Sequence, residues 1–381
     1  MSTKQPDNFG FGEDETMLRD SARKFFTDNC GADKLHALVA GDFNPHRESE
    51  CNWDRDLWRQ VVELGWTAAC IPERAAGIGM PRVAAVALAE EAGRVAFPSP
   101  LLATFMASFV LEACHTAAAD QMLEAIAMGK PVTLAIADIA GSPEEVETDV
   151  RVGADGCLSG SVCLVQDARK CDALVVSAGS ETGTGLYLVD LGAEGVEIVP
   201  DHIIDLTRDQ ASIRFDGAAA IEVGAPGSAK AVVEAALPAI LCVLSADMVG
   251  AGEWLLQTTV EYARTRIQFD RPIGFFQAVK HPLVNVMIEI DDARSLTYNA
   301  ACAADVGADH ALRLARMAKS RASDMAVFSA SRAVQFHGGI GFTWECYVHL
   351  FFKRQMHSQT LLGDGRHHRH LLAEELISSA A

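Results

Sequence analysis

Two stretches in the last third of the sequence set arginine, glutamine and glycine at spacings that could hold a phosphate. The first, Tyr262 to Gln277, reads YARTRIQFDRPIGFFQ; it ends one helix, turns at Arg271 to Gly274 and starts another. The second, Gln335 to Thr343, reads QFHGGIGFT and interrupts a long helical pattern with glycines. Glycine lets backbone N–H groups approach a phosphate closely, and arginine supplies the countercharge. Taken singly, the two stretches also read as a helix corner and a helix C-cap. A third feature is Asp247, the only charge between Glu234 and Glu253, flanked by Val243, Leu244, Gly250 and Ala251. On so apolar a face a carboxyl is expected to have its pKa raised by desolvation, as suits a general base near neutrality. The competing reading is a structural aspartate bonded to a neighbouring helix or subunit. His367 and His370 in the tail RHHRH stand at i, i+3, but no cysteine or paired carboxylates accompany them. That reads as a solvated helix start, with no metal site expected.

These residues need a scaffold, and the periodicity predicts one in three regions. From Asp14 to about Gly129 the pattern is helical, with Met17, Leu18, Ala22, Phe25 and Phe26 on one side of a first helix. Further amphipathic stretches follow at Asp56–Gly65, Pro81–Arg94 and Leu101–Ala127. Between Pro131 and about Val223, short runs such as Val132–Ile136, Ala173–Val176, Gly185–Val189 and Val196–Val199 alternate with Gly, Asp and Ser. These read as strands of a small, mostly antiparallel sheet. From Ser228 onward long helices are predicted at about Ala229–Thr265, Phe276–Ala304, His310–His337 and Tyr347–Leu361. Helix, then sheet, then helix is an α+β pattern without βαβ alternation. The predicted units are residues 1–130, 131–225 and 226–381.

Composition narrows the function classes. The chain's 381 residues call for more than one packed unit, and 49% apolar content can build the cores. A net charge of −19 argues against nucleic acid, which needs clustered Lys and Arg, yet a few placed arginines can still hold an anionic cofactor. Ten scattered cysteines and a polar start at Met1–Gly12 read as reduced thiols in a cytoplasmic protein. The apolar run Ala235–Met248, interrupted by Pro238, Ser245 and Asp247, is expected to be too short to cross a bilayer.

The order and wording of the two glycine and arginine segments resemble the acyl-CoA dehydrogenase family. So do Gly65-Trp66, Ile71-Pro72-Glu73, Glu90 to Arg94 and Pro98 to Leu102 nearer the start. The resemblance spans essentially the whole chain. It implies an N-terminal helical domain, a central antiparallel β domain and a C-terminal helical bundle, binding FAD and oxidising a CoA thioester between Cα and Cβ. It further implies that Arg266 and Phe269 contact the pyrophosphate region. Gln277, Gln335, Gly338 and Gly339 would lie along the ADP moiety of an FAD seated mainly in a neighbouring subunit, with an acyl-CoA substrate and electron-transfer flavoprotein among the partners.

The same resemblance exposes departures. The family's usual catalytic glutamate falls at Leu362 in Thr360–Asp364, and the following threonine at Asp364. The alternative helical seat, counted back from Arg266, holds Ile240, followed by Leu241 where an arginine often meets CoA. The flavin-facing segments survive only as Ala137–Ser142 and Cys163–Gln166. Asp247 shares a face with Ile240 about 10 Å along the axis and could be a relocated base. Otherwise the chain is implied to be the companion subunit of a hetero-oligomer, as in steroid-catabolic members, lending the ADP half-site to a paralogous partner. A flavin oxidase or monooxygenase on the same fold is the weaker alternative.

Overall fold

The computed structural model describes residues 12–39, 51–137, 141–143, 146 and 148–380. The polar start read at Met1–Gly12 therefore lies almost wholly outside the described residues, as does the middle of Ala137–Ser142. Six helices come first: α1 (Glu13–Asn29), α2 (Ala32–Val39), α3 (Arg55–Glu63), α4 (Arg82–Arg94), α5 (Leu101–Cys114) and α6 (Ala117–Ala127). In α1, Ala22 and Phe26 are buried against Trp66 and Phe97, whereas Met17 of the same predicted stripe faces solvent. The stretch expected as one run from Leu101 to Ala127 is two helices. His115 turns left-handed at φ 52°, and the Thr116 hydroxyl caps α6 by accepting the Ala119 N–H.

The eight strands of the main sheet are β1 (Val132–Ala135), β2 (Arg151–Val152), β3 (Cys157–Gln166), β4 (Ala173–Ser180), β5 (Gly183–Asp190), β6 (Val196–Pro200), β7 (Gln210–Ala219) and β8 (Ile221–Gly224). Their order is β6-β7-β3-β2-β4-β5-β8, with β1 on β4. The sheet is mixed rather than purely antiparallel: β1 and β2 each run parallel to β4, and the remaining ladders are antiparallel. Its own core holds Leu158, Val162, Leu174, Val176, Ile213 and Phe215.

The C-terminal helices are α7 (Ala229–Thr265), α8 (Gln277–Asp305), α9 (Ala311–His337), α10 (Val348–Ser358) and α11 (Gly365–Ala380); a hairpin of β9 (Ile267–Gln268) and β10 (Arg271–Pro272) separates α7 from α8. Pro238 does not break α7, which runs for 37 residues. By length and composition this helix could cross a membrane, contrary to the sequence expectation. Its apolar window is 83% buried inside the protein, however, which is the environment of a core helix. Helices α4 and α5 pack against α7, as do α8, α9 and α10, so the two helical regions share one core. Asp305 at the end of α8 ties them further: its carboxylate accepts the Arg82 and Val83 N–H groups that open α4, at 2.6 and 3.1 Å.

Candidate functional site: a leucine-walled cleft and an exposed polar rim

A cavity of about 160 Å³ lies between the sheet and the helices. Met106 of α5, Leu244 of α7 and Leu361 with Leu362 after α10 form its apolar wall. The sheet contributes Cys163 and Leu164, set by a register shift of β3 against β7 between Val162 and Val165, where Leu164 adopts φ 60°. Such bulges commonly re-aim side chains beside sites.

One edge of the cleft is polar. Gln166 and Gln210 are cross-strand partners, and the Gln166 amide donates to Gln210 Oε1 at 2.7 Å and to the Leu164 carbonyl at 3.1 Å. Gln210 donates in turn to Asp201 Oδ2 at 2.8 Å. Behind them His357 Nε2 lies 3.0 Å from Gln166 Oε1. Burial pushes the His357 pKa down to about 4, so the imidazole is neutral and its Nε2–H donates into the chain. Gln210 and His357 were not legible as site residues, because strand β7 was not anticipated and His357 reaches the sheet only through the fold.

The second feature is a rim at the far ends of α7 and α9. The Tyr262 ring stacks on His337 at 4.4 Å between centroids, joining the two glycine and arginine segments at one place. Arg266, Gln277, Gln335, Gly338 and Gly339 are all exposed there. The side chains of Arg266, Gln277 and Gln335 make no hydrogen bond or ion pair among the described residues. At the hairpin tip Phe269 and Asp270 both take left-handed conformations, φ 53° and 59°. That is the two-residue turn that Asn-Gly normally fills, and Phe269 is 85% exposed in it. Non-glycine residues at positive φ store strain, which tends to collect at functional sites. A Cβ added at Gly338 or Gly339 would meet nothing within 4 Å. Gly338 needs its freedom for φ 63°, but no contact among the described residues explains why residue 339 lacks a side chain.

This arrangement can be compared with known proteins. Residues 12–130 match the family model for the acyl-CoA dehydrogenase N-terminal domain, and residues 232–377 match that for the C-terminal domain. Acyl-CoA dehydrogenase IpdE2 of Mycobacterium tuberculosis is 32% identical over 369 residues, covering 96% of this chain and 98% of that protein. The chain belongs to the acyl-CoA dehydrogenase family. Among solved structures, the Tcur3481-Tcur3483 steroid ACAD superposes with TM-score 0.85 at 28% identity over 97% of this chain and 99% of that one. The ChsE4-ChsE5 complex from Mycobacterium tuberculosis gives TM-score 0.84 at 25% identity over 97% and 98%. This is a family of oxidoreductases with a helix–sheet–helix fold, as the sequence resemblance implied.

Within that family the seats for a base look unusual. Leu362 stands in the cleft wall where the resemblance expects a glutamate. Ile240, the expected second seat, is fully buried in the helical core, and it is Leu244, one turn later on α7, that reaches the cleft. Asp247 corrects the sequence reading most clearly. Its pKa is lowered, not raised. Burial alone would push the carboxyl up, but Arg354 and Arg208 more than offset that. Arg208 NH2 donates to Asp247 Oδ2 at 2.6 Å, and Arg354 NH2 donates to Oδ1. Arg354 also bonds Thr207, whose hydroxyl and N–H donate to Asp205. Asp247 thus locks the loop before β7 onto α7 and α10, which matches the competing structural reading. In the tail, the Asp364 carboxylate accepts the His367 N–H at 2.8 Å, and His370 faces Glu374 at the surface.

Proposed function

We propose that this chain is one subunit of a hetero-oligomeric, FAD-dependent acyl-CoA dehydrogenase of the steroid-catabolic type, lending the ADP half of the cofactor site to a paralogous partner. The observation that carries the reading is the free hydrogen-bonding rim. Arg266, Gln277 and Gln335 offer donors that no partner among the described residues uses, beside Gly338 and Gly339 with open space where side chains would be. Residues of this kind fit a pyrophosphate approaching from outside the chain. Arg266 would pair with the phosphate charge, Phe269 would cover the pyrophosphate region, and the two glutamines would hydrogen-bond along the ADP moiety. When bound, FAD supplies the two-electron oxidation of the Cα–Cβ bond, passing electrons on to electron-transfer flavoprotein.

Among the described residues that line its own cleft there is no carboxylate and no imidazole to take the Cα proton. The side chains of Leu244, Leu361 and Leu362 cannot accept a proton, and Asp247 is an ion-paired carboxylate whose charge is committed to Arg208 and Arg354. The partner would therefore supply the base. The similarity to the Tcur3481-Tcur3483 steroid ACAD supports the steroid type, and that to the ChsE4-ChsE5 complex supports the pairing. All ten cysteines are free thiols, in keeping with a cytoplasmic enzyme.

Flavin content and turnover, measured on the chain alone and then with its partner subunit, test the proposal. The chain alone should retain FAD poorly, with none of it reduced by an acyl-CoA, and the pair should carry stoichiometric flavin and turn over. Stoichiometric FAD that is reduced by an acyl-CoA in the chain alone would overturn it.

A further inference from the structure

The turn that carries Leu361 and Leu362 is held from outside by two buried side chains. Lys319 of α9 is fully buried, and its Nζ donates to the Gln359 carbonyl at 3.0 Å and the Gly363 carbonyl at 2.7 Å, with Ser323 Oγ also at 3.0 Å. Among the described residues no carboxylate pairs with the amine. Burial lowers its pKa to about 7, and in either protonation state it has enough N–H groups for both carbonyls. His368 of α11, 1% exposed, places Nε2 at 3.1 Å from the Leu362 carbonyl. Burial keeps that imidazole neutral, so this nitrogen is the donor. Carbonyls at a helix end normally turn to water or to a local cap; here those at 359, 362 and 363 are met by side chains from two other helices.

The backbone they hold is not one the turn would choose alone. Leu362 sits at φ 51° and Gly363 at φ 93°, where an added Cβ would lie 2.3 Å from the His367 ring. Strained conformations persist where surroundings over-determine them. The outcome of this strain is that the Leu362 side chain stands in the cleft wall beside Leu361.

We propose that Lys319 and His368 are positioning residues for an acyl group, fixing the turn so that Leu361 and Leu362 form the surface the acyl chain touches. The seat is thus built for contact although its side chain cannot move a proton. This rests on the cleft being the acyl seat, and the test separates the two ideas. Binding of octanoyl-CoA and of free CoA is measured by calorimetry on the full chain, for the unaltered protein and for Lys319→Met, His368→Leu and His368→Gln. Both apolar variants should weaken octanoyl-CoA about tenfold, the worth of a lost hydrogen bond to a preorganised wall, with free CoA unchanged. His368→Gln, which keeps a donor, should bind like the unaltered chain. A merely structural role would shift thermal stability without separating octanoyl-CoA from CoA. Should Lys319→Met fail to fold, the two His368 variants carry the test. Equal octanoyl-CoA affinity in folded apolar variants overturns the positioning role alone. No preference for octanoyl-CoA over CoA in the unaltered chain overturns the acyl seat, and the positioning role with it.

Discussion

The cleft and the rim treat their polar groups in opposite ways. Around the cleft three buried polar groups are spent inside the chain: Asp247 on two guanidiniums, Gln166 on Gln210 and His357, Lys319 on a turn. At the rim Arg266, Gln277 and Gln335 are exposed with no partner among the described residues, and Phe269 is held out on a strained turn. Desolvated groups must be paired or they destabilise the fold, so the first pattern stabilises this chain. The second contributes nothing to it and makes sense as a surface for another molecule. On the proposed function, the chemistry this chain offers is therefore at its edge and not in its interior.

That contrast makes predictions of graded size. Asp247→Asn should cost about 3–5 kcal/mol, since it leaves two buried guanidiniums facing a neutral amide; urea unfolding reads this directly. A loss under about 1 kcal/mol would mean that the ion pairs are not what holds the cleft wall. This reverses what an isostere would do at a relocated base, where the fold would stay and only the rate would fall.

At the rim, Arg266→Ala should weaken FAD retention by the assembled enzyme about 10- to 100-fold, the worth of a charge-assisted phosphate bond of roughly 1.5–3 kcal/mol. Its urea midpoint should not move. Equilibrium dialysis of flavin against the unaltered enzyme would decide it.

Acid should act on the interior and not on the rim. His357 and His368 are buried neutral with pKa values of about 4 and about 3, below the ordinary 6.5. The unfolded chain then binds more protons below pH 6.5, so stability is full above that and falls as pH drops towards 4. Melting temperature followed from pH 7 to pH 4 should decline, and His368→Gln should flatten part of the slope. A level profile would show that these rings are solvated. The smallest effect is expected of Gln335→Ala. Its stability should change by less than about 0.5 kcal/mol, as for an exposed residue away from special features, with a several-fold loss of flavin.

Much of the fold was legible because it rests on local pattern. The 37-residue α7 and the helices after it follow from apolar periodicity, and the strands at 132, 173, 185 and 196 follow from short branched runs between turn residues. The split between α5 and α6 was missed because it depends on one left-handed histidine, and β7 because its alternation is masked by Gln, Ser and Asp.

For the site, the sequence by itself determined what is absent. Leucine at 362 and isoleucine at 240 can accept no proton in any fold, and arginine, glutamine and glycine at 266, 335 and 339 keep their chemistry wherever they are placed. Only the tertiary structure decided what Asp247 is. Its apolar neighbours along the helix predict an isolated, raised carboxyl, yet Arg208 arrives from a loop 39 residues upstream and Arg354 from a helix 107 residues downstream. Along a helix, sequence spacing tells which residues share a face. What that face meets is set by long-range packing, and for a buried charge the partner across the interface decides the sign of the pKa shift.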